Sequence, residues 1–238
     1  MKIFHIGCSH SIHGSKPLTA TVAERLPKSI EYYSFAHFCS SVHNQLYAVH
    51  RLIPWNPDLV VVQWTTPARM TFVEDRDRFD SIYKPYNTKK ITKNYYQLDR
   101  NFPDYANARS KSGLALHVNA TSSTRMPKKN RRRIAYETMA VESLSEVGVH
   151  GYIFLSALKR YAKQMLTEAG IPHIFYEQNN ATGHDDDILD FVVDQKLGKK
   201  QFDSLLIDDG FHFGEIGNTL VRDRFLIPLI EEKLDVQL

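Results

Sequence analysis

The sequence is poor in the features that mark secreted, disulfide-bonded and membrane-spanning proteins. It has only 2 Cys among 238 residues, which excludes a framework of disulfides. No apolar run approaches the length of a membrane span, and the apolar stretch near the first residue is too short for a secretory signal. The net charge is only +3. We therefore expect a protein without a membrane segment that stays in a cytoplasm or in a particle assembled there.

The apolar residues predict strands and helices in alternation. Short stretches rich in apolar residues predict strands at residues 2–7, 30–36, 58–64, 172–177 and 202–208. Apolar residues at helical spacing predict helices at residues 40–52, 149–169, 185–197 and 215–234, the last with a kink at Pro228. This alternation predicts an α/β fold in which helices cover both faces of a mostly parallel sheet. The β-branched run at 58–64 is expected to be the central strand.

Residues 70–149 interrupt this alternation. Between residues 70 and 135 there are 15 Lys and Arg against 6 Asp and Glu, a local net charge of +9, and tyrosines are interleaved with the basic residues. We interpret 70–149 as an insertion, a lid or an arm, in a single domain whose core is 1–69 and 150–238. The insertion either shapes access to a site or holds an anionic polymer such as an acidic glycan. Nucleic acid stays open as a partner, although no nucleic-acid motif is present.

Three predicted strand ends carry residues suited to chemistry. These are the GCSHS stretch at 7–11, then Thr65, Thr66 and Arg69, and finally Asp209 and His212. In open parallel sheets, ligands bind beyond the carboxyl ends of the strands. A serine hydroxyl becomes a nucleophile when a histidine takes its proton, and a carboxylate can orient that histidine. We therefore expect Ser9 to lie near Asp209 and His212, although they are remote in sequence.

Two of these motifs resemble blocks of the SGNH (GDSL) hydrolase family. GCSHS at 7–11 resembles the GDSxS block, DGFH at 209–212 resembles the C-terminal DxxH block, and Gly217 lies where many members have a glycine. The resemblance implies a flavodoxin-like, three-layer α/β/α fold and an activity that needs no metal or organic cofactor. It also implies that Ser9 is the nucleophile, His212 the base and Asp209 the residue that orients the base.

The sequence departs from the family pattern at one position of the GDSxS block and at two further blocks. Cys8 stands at the Asp of GDSxS, and Cys39 or Ser40 stands near the place of the oxyanion glycine. No Asn follows the 58–64 strand, where the family has one that donates to the oxyanion. These departures suggest a divergent branch, and the stretch around Thr65 and Arg69 resembles bacteriophage proteins.

Backbone N–H groups and nearby polar groups are expected to hold the oxyanion. The candidates are the N–H of Ser9, a backbone N–H near Cys39 or Ser40, and a polar group from Thr65 or Thr66. The candidate substrate-binding residues are Arg69, Gln63 and His10. Gln63 and Arg69 are also alternatives for the missing Asn donor, and a plain salt bridge is an alternative role for Arg69.

Together the motifs predict a serine esterase that removes acetyl or short acyl groups from a carbohydrate through an acyl-enzyme. Two alternatives stay open. One is a catalytically inactive binding or virion-structural protein that uses the basic insertion, and the other is an acyltransferase with the same triad. A metal site built from His5, Cys8, His10 and His13 is disfavoured because their spacing is irregular and successive strand residues face opposite sides.

Overall fold

A computed structural model of the protein describes residues 1–12, 16–36, 40–65, 69–73, 85–90, 115–119, 148–178, 187–208, 210 and 212–238. It describes the backbone alone at residues 9, 69–73, 90, 115–119 and 148–154. The strands are β1 (Lys2–Gly7), β2 (Glu31–Ala36), β3 (Leu59–Trp64), β4 (Arg69–Val73), β5 (Tyr86–Asn87), β6 (Ala115–Asn119), β7 (His173–Glu177) and β8 (Phe191–Val192). The α-helices are α1 (Ser9–Ile12), α2 (Leu18–Arg25), α3 (Val42–Leu52), α4 (Gly148–Glu168), α5 (Val193–Leu197), α6 (Lys199–Ser204), α7 (Glu215–Val221) and α8 (Ile227–Leu234).

The main sheet has six strands in the order β5-β2-β1-β3-β7-β8. Every neighbouring pair from β2 to β8 is parallel, and the two-residue β5 pairs antiparallel with β2 at one edge. The parallel strands therefore follow the 2-1-3-4-5 order of flavodoxin-like folds. This order confirms the predicted α/β fold with a mostly parallel sheet.

The strand β3 lies at the centre of the sheet, between β1 and β7, and all of its residues are buried. On one face, Val61 belongs to a core cluster that includes side chains of α2, α7 and α8. On the other face, Val60 belongs to a cluster that includes side chains of α3 and α4. The prediction of a central strand covered on both faces is confirmed.

The helices predicted at 40–52 and 149–169 are also confirmed, as α3 and α4, and their ends have local causes. Ser41 caps α3, because its hydroxyl accepts a hydrogen bond of 3.3 Å from the N–H of Asn44. Pro54 follows the end of α3 in a short 3-10 turn, Ile53–Trp55. After α4, Gly170 has a left-handed φ of +67°, a conformation that glycine adopts readily and that ends the helix.

The prediction of a last strand at 202–208 is wrong. Residues 199–204 form α6 instead, and Phe202 points from this helix into the core. Leu206 then makes a single antiparallel bridge with Phe213, so the chain turns back in a hairpin rather than entering the sheet. The helix ends at Ser204, so Leu205 and Leu206 follow it and pack against the same core cluster as Phe202.

The prediction of one helix over 185–197 is wrong in its described part. Phe191 and Val192 form the edge strand β8, and only Val193–Leu197 is helical. Asp190 fixes this arrangement: its carboxylate accepts a 2.7 Å hydrogen bond from the N–H of Phe175, and its own N–H donates to the carbonyl of Phe175 at 2.7 Å. Contacts with β7 therefore override the local helical pattern.

The C-terminal helix begins and ends close to the predicted residues but is interrupted. A π-helical turn, Arg222–Leu226, separates α7 from α8, and Pro228 lies in the first turn of α8. The irregularity is thus next to the proline, which has no N–H to donate to the preceding turn. None of the helices in the described part of the chain combines the length and apolarity that crossing a bilayer requires.

Most of the predicted insertion lies outside the described residues. Of its described parts, β4 and β6 form a separate antiparallel pair, and β5 joins the edge of the main sheet. Lys89 follows β5 and donates its ammonium to the carbonyl oxygens of Leu26, at 3.0 Å, and Pro27. These contacts attach the segment around β5 to the loop after α2.

Candidate active site

The first motif forms a tight turn between β1 and α1. Cys8 is fully buried, and its carbonyl accepts a 3.0 Å hydrogen bond from the N–H of Ser11. A Cβ on Gly7 would meet Ser11 Oγ and lie 2.8 Å from Ser11 Cβ, so the close approach of the turn to the strand requires glycine. Ser9, the predicted nucleophile, is the first residue of α1, and only its backbone is described.

A buried glutamine on β3 lies beneath this turn. Gln63 Oε1 accepts hydrogen bonds from Ser11 Oγ and, at 3.9 Å, from Cys8 Sγ. The donors therefore come from both sides of Ser9 in the chain. Gln63 is predicted to bind substrate, yet its side-chain oxygen faces the turn, and the residue is 2 % exposed.

A second layer of polar groups lies deeper in the core, around His5 of β1. Its Nδ1 is 2.6 Å from the hydroxyl of Tyr32, and its Nε2 is 3.2 Å from the hydroxyl of Tyr176 and 3.4 Å from Ser11 Oγ. Burial lowers the pKa of His5 from 6.5 to about 3. Burial also raises the pKa of the Tyr176 phenol well above its usual range. His5 and Tyr176 are therefore uncharged at neutral pH, and the network connects β1, β2 and β7 to the turn.

The second motif lies on the hairpin that replaces the predicted last strand. The N–H of Ile207 donates to the carbonyl of His212 at 2.8 Å, and the N–H of Gly214 donates to the carbonyl of Leu205 at 3.2 Å. Phe213 is buried beneath the hairpin. A Cβ on Gly217 would lie 2.8 Å from Phe213 Cβ, so the glycine after the histidine allows α7 to pack closely on the hairpin.

The fold brings these two motifs together. The imidazole of His212 lies against that of His10, with ring centroids 4.7 Å apart and the planes inclined by 38°. His10 directly follows Ser9 in α1. Two contacts nearby join α7 to the chain before α2: Asn218 Nδ2 donates to the carbonyl of Lys16 at 3.0 Å, and the Lys16 ammonium pairs with the Glu215 carboxylate at 2.6 Å. The predicted base therefore lies beside the nucleophile turn, while Asp209 lies outside the described residues.

The predicted oxyanion residues are only partly described. Ser40 is fully buried just before α3, and its hydroxyl has no hydrogen-bond partner within the described ranges. Thr65 is 4 % exposed and follows β3 directly. Cys39 and Thr66 lie outside the described residues. For Arg69 only the backbone is described, as the first residue of β4.

Gln45 on α3 is a site residue that the sequence analysis missed. Its Nε2 donates to the carbonyl of Gln63 at 2.6 Å, and its Oε1 accepts from the N–H of Thr65 at 3.1 Å. The side chain thus joins α3 to the end of β3. A signal was available, because Gln45 is a polar residue on the apolar stripe that also carries Val42 and Val49.

A buried ion pair lies at the end of β7. The ammonium of Lys159 on α4 pairs with the carboxylate of Glu177, and their side chains are 0 % and 4 % exposed. In a buried site of this kind, the attraction between the two charges offsets the cost of removing them from water. Within the described residues, no cluster of three or more His, Cys, Asp or Glu side chains could hold a metal ion.

Comparisons with known proteins find matches among solved structures. No protein-family profile matches the chain, and no curated protein matches it. Among solved structures, the chain is similar to the lipase/acylhydrolase from Enterococcus faecalis, with a TM-score of 0.41 and 13 % sequence identity. The match covers 100 % of this chain and 98 % of that one.

Proposed function

We propose that the protein is a serine ester hydrolase in which Ser9 is the nucleophile and His212 the general base. The observation that carries the proposal is the 4.7 Å approach of the His212 ring to that of His10, next to Ser9. Two motifs from opposite ends of the chain thereby adjoin at the carboxyl edge of a parallel sheet, where such folds bind ligands. Asp209, three residues before the base, is the group proposed to orient the imidazole.

The proposed reaction proceeds through an acyl-enzyme. His212 takes the proton of the Ser9 hydroxyl as its oxygen attacks the ester carbonyl, and then returns that proton to the departing alcohol. A water molecule, activated by the same histidine, hydrolyses the acyl-enzyme. The oxyanion is held by the N–H of Ser9, a backbone N–H near Cys39 or Ser40, and a polar group from Thr65 or Thr66.

For the substrate we propose an acetyl or short acyl ester on a carbohydrate. His10 is a proposed substrate contact because its ring lies beside that of His212, the proposed base. Arg69 is the other proposed substrate contact, whereas the side-chain oxygen of Gln63, the third predicted contact, accepts hydrogen bonds from the nucleophile turn. The basic, tyrosine-rich sequence of 70–135 is suited to binding a sugar chain, because tyrosine rings stack on sugars and basic residues attract acidic groups.

Covalent labelling by a fluorophosphonate, read by intact mass, tests the proposal. We expect wild type to gain one label, Ser9→Ala to gain none, and Ser204→Ala to behave as wild type. Ser204 is a matched control because it is exposed on α6, with its hydroxyl donating to the carbonyl of Gln201 at 2.7 Å. Hydrolysis of p-nitrophenyl acetate should follow the same pattern.

Two histidine variants separate the roles of the neighbouring rings. His212→Ala should slow labelling by about 10²-fold or more, as expected for loss of a general base, whereas His10→Ala should change mainly the KM for the ester. A well-folded wild type that takes no label would refute the esterase and favour a binding protein that uses the basic insertion. Equal losses in both variants would refute the assignment of the base.

A further inference from the structure

The end of β3 is tied to the nucleophile turn on one side and to α3 on the other. Gln63 makes the first connection with its side chain, which accepts hydrogen bonds from Ser11 and Cys8. It makes the second with its backbone carbonyl, which accepts the 2.6 Å hydrogen bond from Gln45. One residue therefore contacts the turn that carries Ser9 and the helix that begins just after Ser40.

Gln45 uses both ends of its amide for this connection. The NH₂ group donates to the carbonyl of Gln63, and the oxygen accepts from the N–H of Thr65, two residues further along. The side chain is fully buried. Because donor and acceptor are both engaged with backbone groups, rotation of the amide would break both hydrogen bonds and leave buried polar groups unpaired. Gln45 thus fixes the chain at Thr65, the residue that directly follows β3.

We infer that Gln45 and Gln63 form a brace that sets the separation between Ser9 and the oxyanion donors near Ser40 and Thr65. The inference rests on the proposed function. Oxyanion donors act only when they lie at hydrogen-bonding distance from the developing charge. The three segments concerned come from different parts of the chain, and the brace is a chain of hydrogen bonds that spans all of them. Both glutamines are positioning residues, because they act through the turn and the loop.

Substitution by methionine tests the brace, since methionine has nearly the length of glutamine but no amide. In Gln45→Met and in Gln63→Met, we expect the second-order rate constant of fluorophosphonate labelling to fall by about 10- to 100-fold, the loss that follows from a small misplacement of reacting groups. The kcat for p-nitrophenyl acetate should fall in parallel, with KM changed less than about threefold. Gln201→Met is the matched control, because Gln201 is exposed on α6.

The double variant provides a readout that independent structural effects would not produce. If the two glutamines act as one brace, breaking it twice should cost little more than breaking it once, and the double variant should label at about the rate of the slower single variant. Losses that multiply would overturn the brace. A raised KM in Gln63→Met with unchanged labelling would also overturn it and would assign Gln63 to substrate binding.

Stability and catalysis are separated by measuring each variant while it is folded. A lower urea midpoint with wild-type labelling at 25 °C would reduce Gln45 to a structural residue and overturn the inference. Should Gln45→Met fail to fold, Gln45→Glu retains the acceptor for the N–H of Thr65, and its labelling should still be slower than that of wild type. If Gln45→Met takes the label more slowly than wild type and Ser9→Ala takes none, the result supports the brace. Label persisting in Ser9→Ala overturns both the brace and the proposed function.

Discussion

Burial of His5 should lower the free energy of unfolding at acidic pH. Its pKa is lowered from 6.5 to about 3 by burial, so the imidazole is neutral in the folded protein over a range in which it is charged in the unfolded chain. The unfolded state therefore binds the extra proton. The contribution of His5 to the free energy of unfolding is fully present above pH 6.5 and is lost as the pH falls toward 3. Each pH unit in that window costs about 1.4 kcal/mol, so His5 alone removes roughly 2–3 kcal/mol between pH 6.5 and pH 4.5.

Urea unfolding of wild type and His5→Gln at pH 7.5, 6.5, 5.5 and 4.5 isolates this contribution. The variant is expected to be less stable at neutral pH, because Tyr32 and Tyr176 lose their shared partner. Its free energy of unfolding should nevertheless fall less steeply below pH 6.5, since the other titrating groups are common to both proteins and cancel in the difference. Parallel curves would refute the reasoning. An NMR titration of wild type gives an independent answer, because the His5 ring must stay neutral at pH 5.

Two further substitutions probe the site's packing and its buried charges. Gly7→Ala should lower stability by about 1–3 kcal/mol, the usual cost of overpacking, because the added methyl group meets Ser11. Adding Ser11→Gly should recover part of that loss in urea unfolding, and no recovery would contradict the clash. Lys159→Met should cost about 3–5 kcal/mol, because it leaves the Glu177 carboxylate buried without its cation. The double variant Lys159→Met/Glu177→Leu should melt at a higher temperature than Lys159→Met, and additive losses would show that the charges are not coupled.

The sequence predicts the elements whose signals are local. The continuous β-branched residues of 58–64 fix a covered central strand, and the spacing of apolar residues fixes α3 and α4. The stretch 202–208 is ambiguous, because seven residues are too few to distinguish the two-residue period of a strand from the 3.6-residue period of a helix. The strand β8 could not be predicted, since it depends on hydrogen bonds between Asp190 and Phe175, and such pairings across the chain leave no mark on the local pattern.

In the candidate site, too, the sequence predicts what has a local signal and misses what depends on contacts between distant segments. The sequence indicated Ser9 and His212, because glycines and small polar residues beside apolar runs mark turns at strand ends. It did not indicate that His212 would be carried by a hairpin, or that its ring would lie against His10. The polar groups beneath the turn were missed as partners, because the contacts of His5 reach two other strands. Their pairing depends on the strand order, which only the folded chain provides.

The short strand β5 also protects the sheet. In the described part of the chain it is the strand that pairs with the outer edge of β2, through Tyr33 and Ser34. Unpaired strand edges invite pairing with other molecules and aggregation. A deletion of residues 70–135, the obvious way to ask what the basic insertion binds, would remove β5 and Lys89 together. Lost binding in that variant could then reflect self-association of exposed edges, so a deletion that retains residues 85–90 is the one whose binding can be compared with that of the whole protein.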